Sequence, residues 1–383
     1  MWFLQVNMLF KMLGCAFLFS IVNSVCQKKN MPRAASYFLL ILNIYIIFSA
    51  SGKLLLFYLS YVLFTYILLL LIGRMKRFKK HFFALFCVLC TSIFFYSKIA
   101  DLTGALPKFI LLVGFSYNML KAIDAIFWVY YTDEKIPLLT YANYMLYFPV
   151  FTAGPIFRYR DFIKTYNNPA PITAKIFEIN LKRLIRGLFF KLVVVTLLSI
   201  LFEKMTNSGY YRFHISFFSV VVSYFILFFD LSGYSDMAIA MGGFMGITVS
   251  ENFKNPFSAA SFTQFWRKWH VTLSDWIRDH IFVVVNGKKL SKYQSALIGF
   301  ITMIVMSLWY DFSILTVSTG AYMGLCLAFE NIFGLTTCSI KKDGRLKFYL
   351  RCFLVNFLFG INTLAYLLPA SQIFEILKGF LKV

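Results

Sequence analysis

Long apolar runs separated by short polar turns recur along the whole chain, at 4–26, 36–50, 54–73, 81–98, 108–131, 138–152, 184–202, 215–230, 294–310, 312–333 and 348–369. An apolar run of about 20 residues is the length that crosses a bilayer as one helix. Several of these runs are shorter or interrupted. The pattern therefore predicts an all-α, polytopic integral membrane protein with roughly ten to twelve spans or half-spans. The first run lacks a basic leader and a small-residue cleavage site, so it reads as a retained span.

Composition supports the same class: 60% of the 383 residues are hydrophobic and 14% are charged, against about 25% charged in soluble domains. A formal charge of +22 would suggest nucleic acid in a soluble protein, but here the positive residues sit in short turns. Lys28, Lys29 and Arg33 form one cluster, and Arg74, Lys76, Arg77, Lys79 and Lys80 a second. Two runs and a turn at Ser51-Gly52-Lys53 separate them, so both clusters can face the cytoplasm, as the positive-inside rule requires. Lys341, Lys342, Arg345, Lys347 and Arg351 are expected on that side too. No nucleic-acid partner is expected; the lipid bilayer is. Cys87 and Cys90 form a C-x-x-C inside an apolar run without a second pair or a nearby histidine, which reads as free thiols and not as a metal site.

No hydrophilic stretch is long enough for a soluble domain, and residues 1–383 read as one membrane domain. The first hundred residues look like plain spans. Polar chemistry begins after them. Lys121 and Asp124 lie three apart on neighbouring helix faces, as a buried ion pair or as part of a site. In 148–162, Gly154-Pro155 breaks any helix, and Arg158, Arg160 and Asp161 follow at once. A broken helix beside charges is tolerated at membrane depth only where protein or a water-filled cavity covers it; otherwise it lies at the interface. In 226–256, Asp230, Ser232, Tyr234, Ser235 and Asp236 interrupt an apolar run. Those two carboxylates need partners, for which the basic residues of the neighbouring polar segments are candidates. Structural pairing and the lining of a substrate channel are both open.

The densest polar group lies in FKNPFSAASFTQFWRKWHVTLSDWIRDHIF, residues 253–282. Phe265 to Phe282 has helical periodicity, with Phe265, Trp266, Trp269, Leu273, Trp276 and Ile277 on one side and Arg267, Lys268, Asp275, Arg278 and Asp279 elsewhere. The tryptophans suit an amphipathic or re-entrant helix near the headgroups. His270 falls among them. It is either a hydrogen-bonded packing residue or the proton-transfer group that an imidazole is suited to be near neutral pH.

Three further segments join this one: Gly154-Pro155-Ile156 with Arg158; Asp230-Leu231-Ser232-Gly233-Tyr234-Ser235-Asp236-Met237-Ala238-Ile239; and Glu251-Asn252-Phe253 leading into Asn255-Pro256-Phe257. With Phe265-Trp266, Trp269-His270, Trp276 and Arg278-Asp279, the set resembles the membrane-bound O-acyltransferase (MBOAT) family. Within it the set is similar to the branch that acylates exported polysaccharides, including alginate O-acetylases and teichoic acid D-alanyl transferases. The resemblance covers roughly 108–335, leaving 1–107 as peripheral spans and 336–383 as a C-terminal loop and span.

What the resemblance implies is acyl transfer across the bilayer around a central polar cavity. A cytosolic acyl thioester (acyl-CoA or acyl-carrier protein) is the donor, an exported or cell-surface glycan is the acceptor, and a histidine is the general base. It also implies no bound cofactor or metal, a bacterial inner (cell) membrane location, and an extracytoplasmic partner acyltransferase. His270 is the expected catalytic residue. Arg158, Asp230, Asp236, Asn255, Trp266, Arg267, Trp269, Arg278 and Asp279 are expected to line the cavity or orient the base.

The family usually carries a second histidine in a Trp-His-Gly type motif. The matching stretch, 306–324, holds Trp309, then Tyr310 and Asp311. With an ordinary pKa near 10, a tyrosine is a poor base at neutral pH, though its hydroxyl can donate to an oxyanion. Tyr310 and Asp311 are thus joint catalytic candidates with His270. An inactive homologue acting as scaffold or conduit, or a different register for this short segment, are the alternatives.

Overall fold

The structure is a computed structural model that describes residues 6–103, 114–207, 209–282 and 291–382. The start of the expected run at 108 and the boundary at 107 lie outside the described residues. The chain packs as two compact units, one of residues 1–185 with 235–250 and the other of residues 186–234 with 251–383.

Regular structure among the described residues is helical, as the periodicity predicts. Among the described residues, eight helical stretches are long and apolar enough to cross a membrane. The first unit opens with α1 (Val6–Lys28), α2 (Pro32–Ala50), α3 (Gly52–Arg74) and α4 (Lys79–Thr103). Ser51 ends α2 and caps α3 by accepting from the Leu54 amide. At 1.5 Å per residue α2 and α3 are each about 30 Å long. The basic clusters before α2 and after α3 therefore share a side.

Next come α5 (Phe115–Thr132), α6 (Leu138–Leu146) and α7 (Tyr159–Tyr166). The break at Gly154-Pro155 is real, and residues 154–157 are buried in protein. Side chains supply what the broken backbone lacks. Tyr144 Oη donates to the Phe157 carbonyl (2.9 Å) and Asn43 Oδ1 accepts from the Phe148 amide (3.1 Å). The expected Lys121–Asp124 ion pair does not form. Lys121 Nζ donates to the Met145 carbonyl at the end of α6 (2.9 Å), and Asp124 accepts from the Tyr159 amide (2.6 Å) at the start of α7. Their neighbouring faces meet different helix ends.

Helix α8 (Ala174–Leu188) passes through a π-helical turn, Phe189–Val194, into α9 (Val195–Thr206). It is followed by α10 (Phe213–Phe244). Asp230 and Asp236 lie within α10, and each carboxylate has an ion-pair partner.

The second unit continues with two short helices, α11 (Phe262–Trp266) and α12 (Val271–Ile277). A hairpin of α13 (Lys292–Tyr310) and α14 (Ile314–Ile332) follows, then α15 (Ile340–Asp343), α16 (Arg345–Thr363) and α17 (Ala370–Gly379). The α13–α14 hairpin is tight because Gly324 lacks a side chain: a Cβ there would lie 3.0 Å from the Phe300 backbone.

Candidate functional site

The expected continuous helix from Phe265 to Phe282 is broken in its middle. α11 stops at Trp266, and His270 takes a left-handed backbone (φ 44°, ψ 52°) before α12 begins. The reason is a set of bonds that periodicity does not reveal. The Lys254 amide donates to the Lys268 carbonyl (2.9 Å) and the Val271 amide to the Asn252 carbonyl (2.8 Å). Asn252 Oδ1 accepts from Thr272 Oγ1 (2.9 Å). The extended 252–254 segment thus clamps 268–272 and outcompetes the helix. A left-handed residue other than glycine costs about 1–2 kcal/mol, so the clamp holds strain.

The start of α11 is anchored equally firmly. Ser261 caps it through the Gln264 amide (3.0 Å), and its own hydroxyl donates to the Thr336 carbonyl (2.7 Å). Glu330 of α14, 5% exposed, accepts from the amides of Phe262 and Thr263 and from the Thr263 hydroxyl. Beneath lies an aromatic core in which Trp269 stacks on Phe265 (5.5 Å between centroids) and meets Phe359 (4.8 Å). Met303 of α13 belongs to the same core.

His270 itself is 8% exposed, and Nδ1 is buried with no hydrogen-bond partner among the described residues. Burial disfavours the imidazolium and pushes the group down from 6.5 to about 4. The ring is therefore neutral at physiological pH and keeps a nitrogen free to accept a proton. A buried polar atom without a partner costs about 1–3 kcal/mol.

Of the other candidates, Asn255 is left-handed (φ 53°) and opens the 256–258 turn. Trp266 packs edge-on to Phe359. Arg267 is exposed. Arg278 pairs with Asp275 (2.7 Å) and Asp279 (3.1 Å) at the rim of α12. Asp230 forms an ion pair with Lys191, a residue that sequence reasoning missed. Lys191 sits in the π-helical turn, its side chain 9% exposed, with Nζ 4.2 Å from the Tyr234 ring centroid. Gly233 permits this approach, since a Cβ there would lie 2.9 Å from the Gly187 carbonyl oxygen. A half-buried π-turn lysine leaves no sequence signal beyond a charge in an apolar run. Tyr310 ends α13, half exposed, edge-to-face with Tyr366 (4.8 Å). These residues all belong to the second unit.

Arg158 and Asp236 belong to the first. Arg158 pairs with Asp161 (3.2 Å), and buried Asp236 with Arg183 of α8 (2.9 Å). Asp230 and Asp236 thus take partners from the stretch 174–206. The neighbouring polar segments were the expected source, but the basic residues there are already engaged locally or exposed.

An all-helical membrane protein with a strained, buried imidazole between two short helices is the class this geometry defines. Residues 129–371 match the membrane-bound O-acyltransferase family, and the chain belongs to that family. It is similar to a probable alginate O-acetylase, AlgI, of Pseudomonas putida: 31% identity over 234 residues, 61% of this chain and 48% of that protein. It is also similar to a teichoic acid D-alanyltransferase of Streptococcus thermophilus (26% over 289 residues, 70% and 69%). A peptidoglycan O-acetyltransferase of Helicobacter pylori shares 28% over 214 residues, 52% of this chain and 38% of that one. The chain spans about half the length of the AlgI relatives it matches.

Proposed function

We propose that this protein is a membrane O-acyltransferase of the bacterial inner membrane. It moves an acetyl- or D-alanyl-type acyl group from a cytosolic thioester, acyl-CoA or acyl-carrier protein, to a hydroxyl of an exported or cell-surface glycan. The observation that carries this reading is the neutral, buried His270 ring, held in a strained backbone with Nδ1 unpartnered among the described residues. The acceptor hydroxyl gives its proton to the imidazole as its oxygen attacks the thioester carbon. The C–S bond then breaks, and the leaving thiolate takes that proton to depart as a thiol. An acyl thioester is reactive enough that a positioned base and a donor for the developing oxyanion suffice. The Tyr310 hydroxyl is suited to be that donor, and Asp311 is the alternative base. An extracytoplasmic acyltransferase that finishes the transfer is the expected partner.

The test uses the purified full chain with radiolabelled acetyl-CoA or acyl-carrier thioester and bacterial polysaccharide acceptors. Wild type transfers label; His270→Ala loses about 10²-fold or more, the scale of general-base catalysis. Undiminished transfer by that variant removes His270 from the mechanism. The half-exposed Tyr310 at the place of the family's second histidine favours one alternative, an inactive scaffold or conduit. A gain of transfer in Tyr310→His over an inert wild type would establish that alternative.

A further inference from the structure

The first unit holds a cleft of about 790 Å³ where the end of α1 and the start of α2 meet α6 and the segment after α7. Its volume falls in the range of small-molecule sites, about 300–1,000 Å³, but its walls are unusually polar for one. Asn23, Gln27, Asn167, Ser36 and Thr140 line it, with Arg33 as the cation and no carboxylate in the lining. The walls are built: Gln27 Nε2 donates to the Pro169 carbonyl (2.7 Å), and Asn143 Nδ2 to the Ser36 carbonyl (2.9 Å).

Two features point to an occupant. Asn23 is 4% exposed, lines the cleft, and its carboxamide has no hydrogen-bond partner among the described residues. The amide is open to the cleft, where a polar ligand can take the place of water on it. Arg33 has no carboxylate within ion-pair reach among the described residues, and it neighbours Lys28 and Lys29 at a helix turn. That turn joins two helices long and apolar enough to cross a membrane, and by the positive-inside rule its basic residues assign the cleft to headgroup level on the cytoplasmic side.

We infer that this cleft binds a hydroxylated phosphate ester, its phosphate on Arg33 and its hydroxyls on the carboxamides of Asn23, Gln27 and Asn167. A cationic ligand is disfavoured by the lack of any lining acid. Such an ester reaches the cleft either as the headgroup of an anionic glycerophospholipid or as a soluble phosphate monoester.

The experiment uses the full chain in detergent, with native mass spectrometry and thermal shift as readouts. The probes are phosphatidylglycerol, phosphatidylcholine and glycerol 3-phosphate. Wild type is expected to retain phosphatidylglycerol over phosphatidylcholine. Arg33→Gln and Asn23→Leu should each weaken retention about tenfold, the loss of one good polar contact, and Arg33→Lys should keep most of it. Arg33 is exposed, so its variants test binding without disturbing the fold. Retention unaffected by glycerol 3-phosphate supports the lipid source; displacement by it supports the soluble one. Equal retention of both lipids with no shift by glycerol 3-phosphate overturns the inference, as does unchanged binding in Arg33→Gln.

Discussion

Replacing Glu330 by alanine tests whether the His270 segment is held from below. Glu330 receives two backbone amides, Phe262 and Thr263 (3.0 Å for the latter), and the Thr263 hydroxyl (3.3 Å). Hydrogen bonds to a charged group contribute about 1.5–3 kcal/mol each. Their removal also strands two amide donors at the buried start of a five-residue helix that cannot satisfy them internally. These terms overlap, so the expected loss is about 3–5 kcal/mol, not their full sum. Glu330→Gln keeps one acceptor oxygen but turns an NH₂ toward an amide, and about half that loss is expected. Unfolding of the detergent-solubilised protein, followed by tryptophan fluorescence, gives the difference. At about 2–4 °C per kcal/mol, the alanine variant should melt on the order of 10 °C lower. A shift within 1–2 °C in both variants would show that Glu330 does not anchor the segment.

Two further outcomes follow from the same geometry. Because burial lowers His270 from 6.5 to about 4, the unfolded chain takes up its proton first as pH falls. The associated stability is whole above pH 6.5 and declines between 6.5 and 4 by about 1.4 kcal/mol per pH unit. His270→Gln should flatten that part of the curve, and parallel curves for the two proteins would refute the burial argument. For Lys191 and Asp230, the single changes Lys191→Met and Asp230→Asn should each destabilise by about 2 kcal/mol or more. The double variant should lose less than their sum by about 1 kcal/mol; additivity within about 0.5 kcal/mol would show the pair uncoupled.

How far the sequence was legible depended on whether an interaction was local. Helices are made by contacts three and four residues apart, so α1 to α4 and the break at Gly154-Pro155 were readable from spacing and proline chemistry. The 265–282 periodicity is present, yet the helix breaks, because Asn252 and Lys254 compete for the backbone at 268–272. That contest is invisible to a helical-wheel reading. Likewise the acids of α10 announce that partners exist but not which. Lys191 and Arg183 lie 39 and 53 residues away, and only the packed helices select them. Glu330 looks in sequence like one more charge near a helix end, and nothing local links it to Phe262.

The left-handed backbone at position 270 sets two rankings of the twenty amino acids against each other. Glycine, then asparagine, adopt that conformation most easily, so a saturation library sorted for thermal resistance should enrich them there. A library sorted for acyl transfer should return histidine. Where the winners of the two sorts part company, the distance between them measures how much folding free energy the chain forgoes to keep an imidazole in that place.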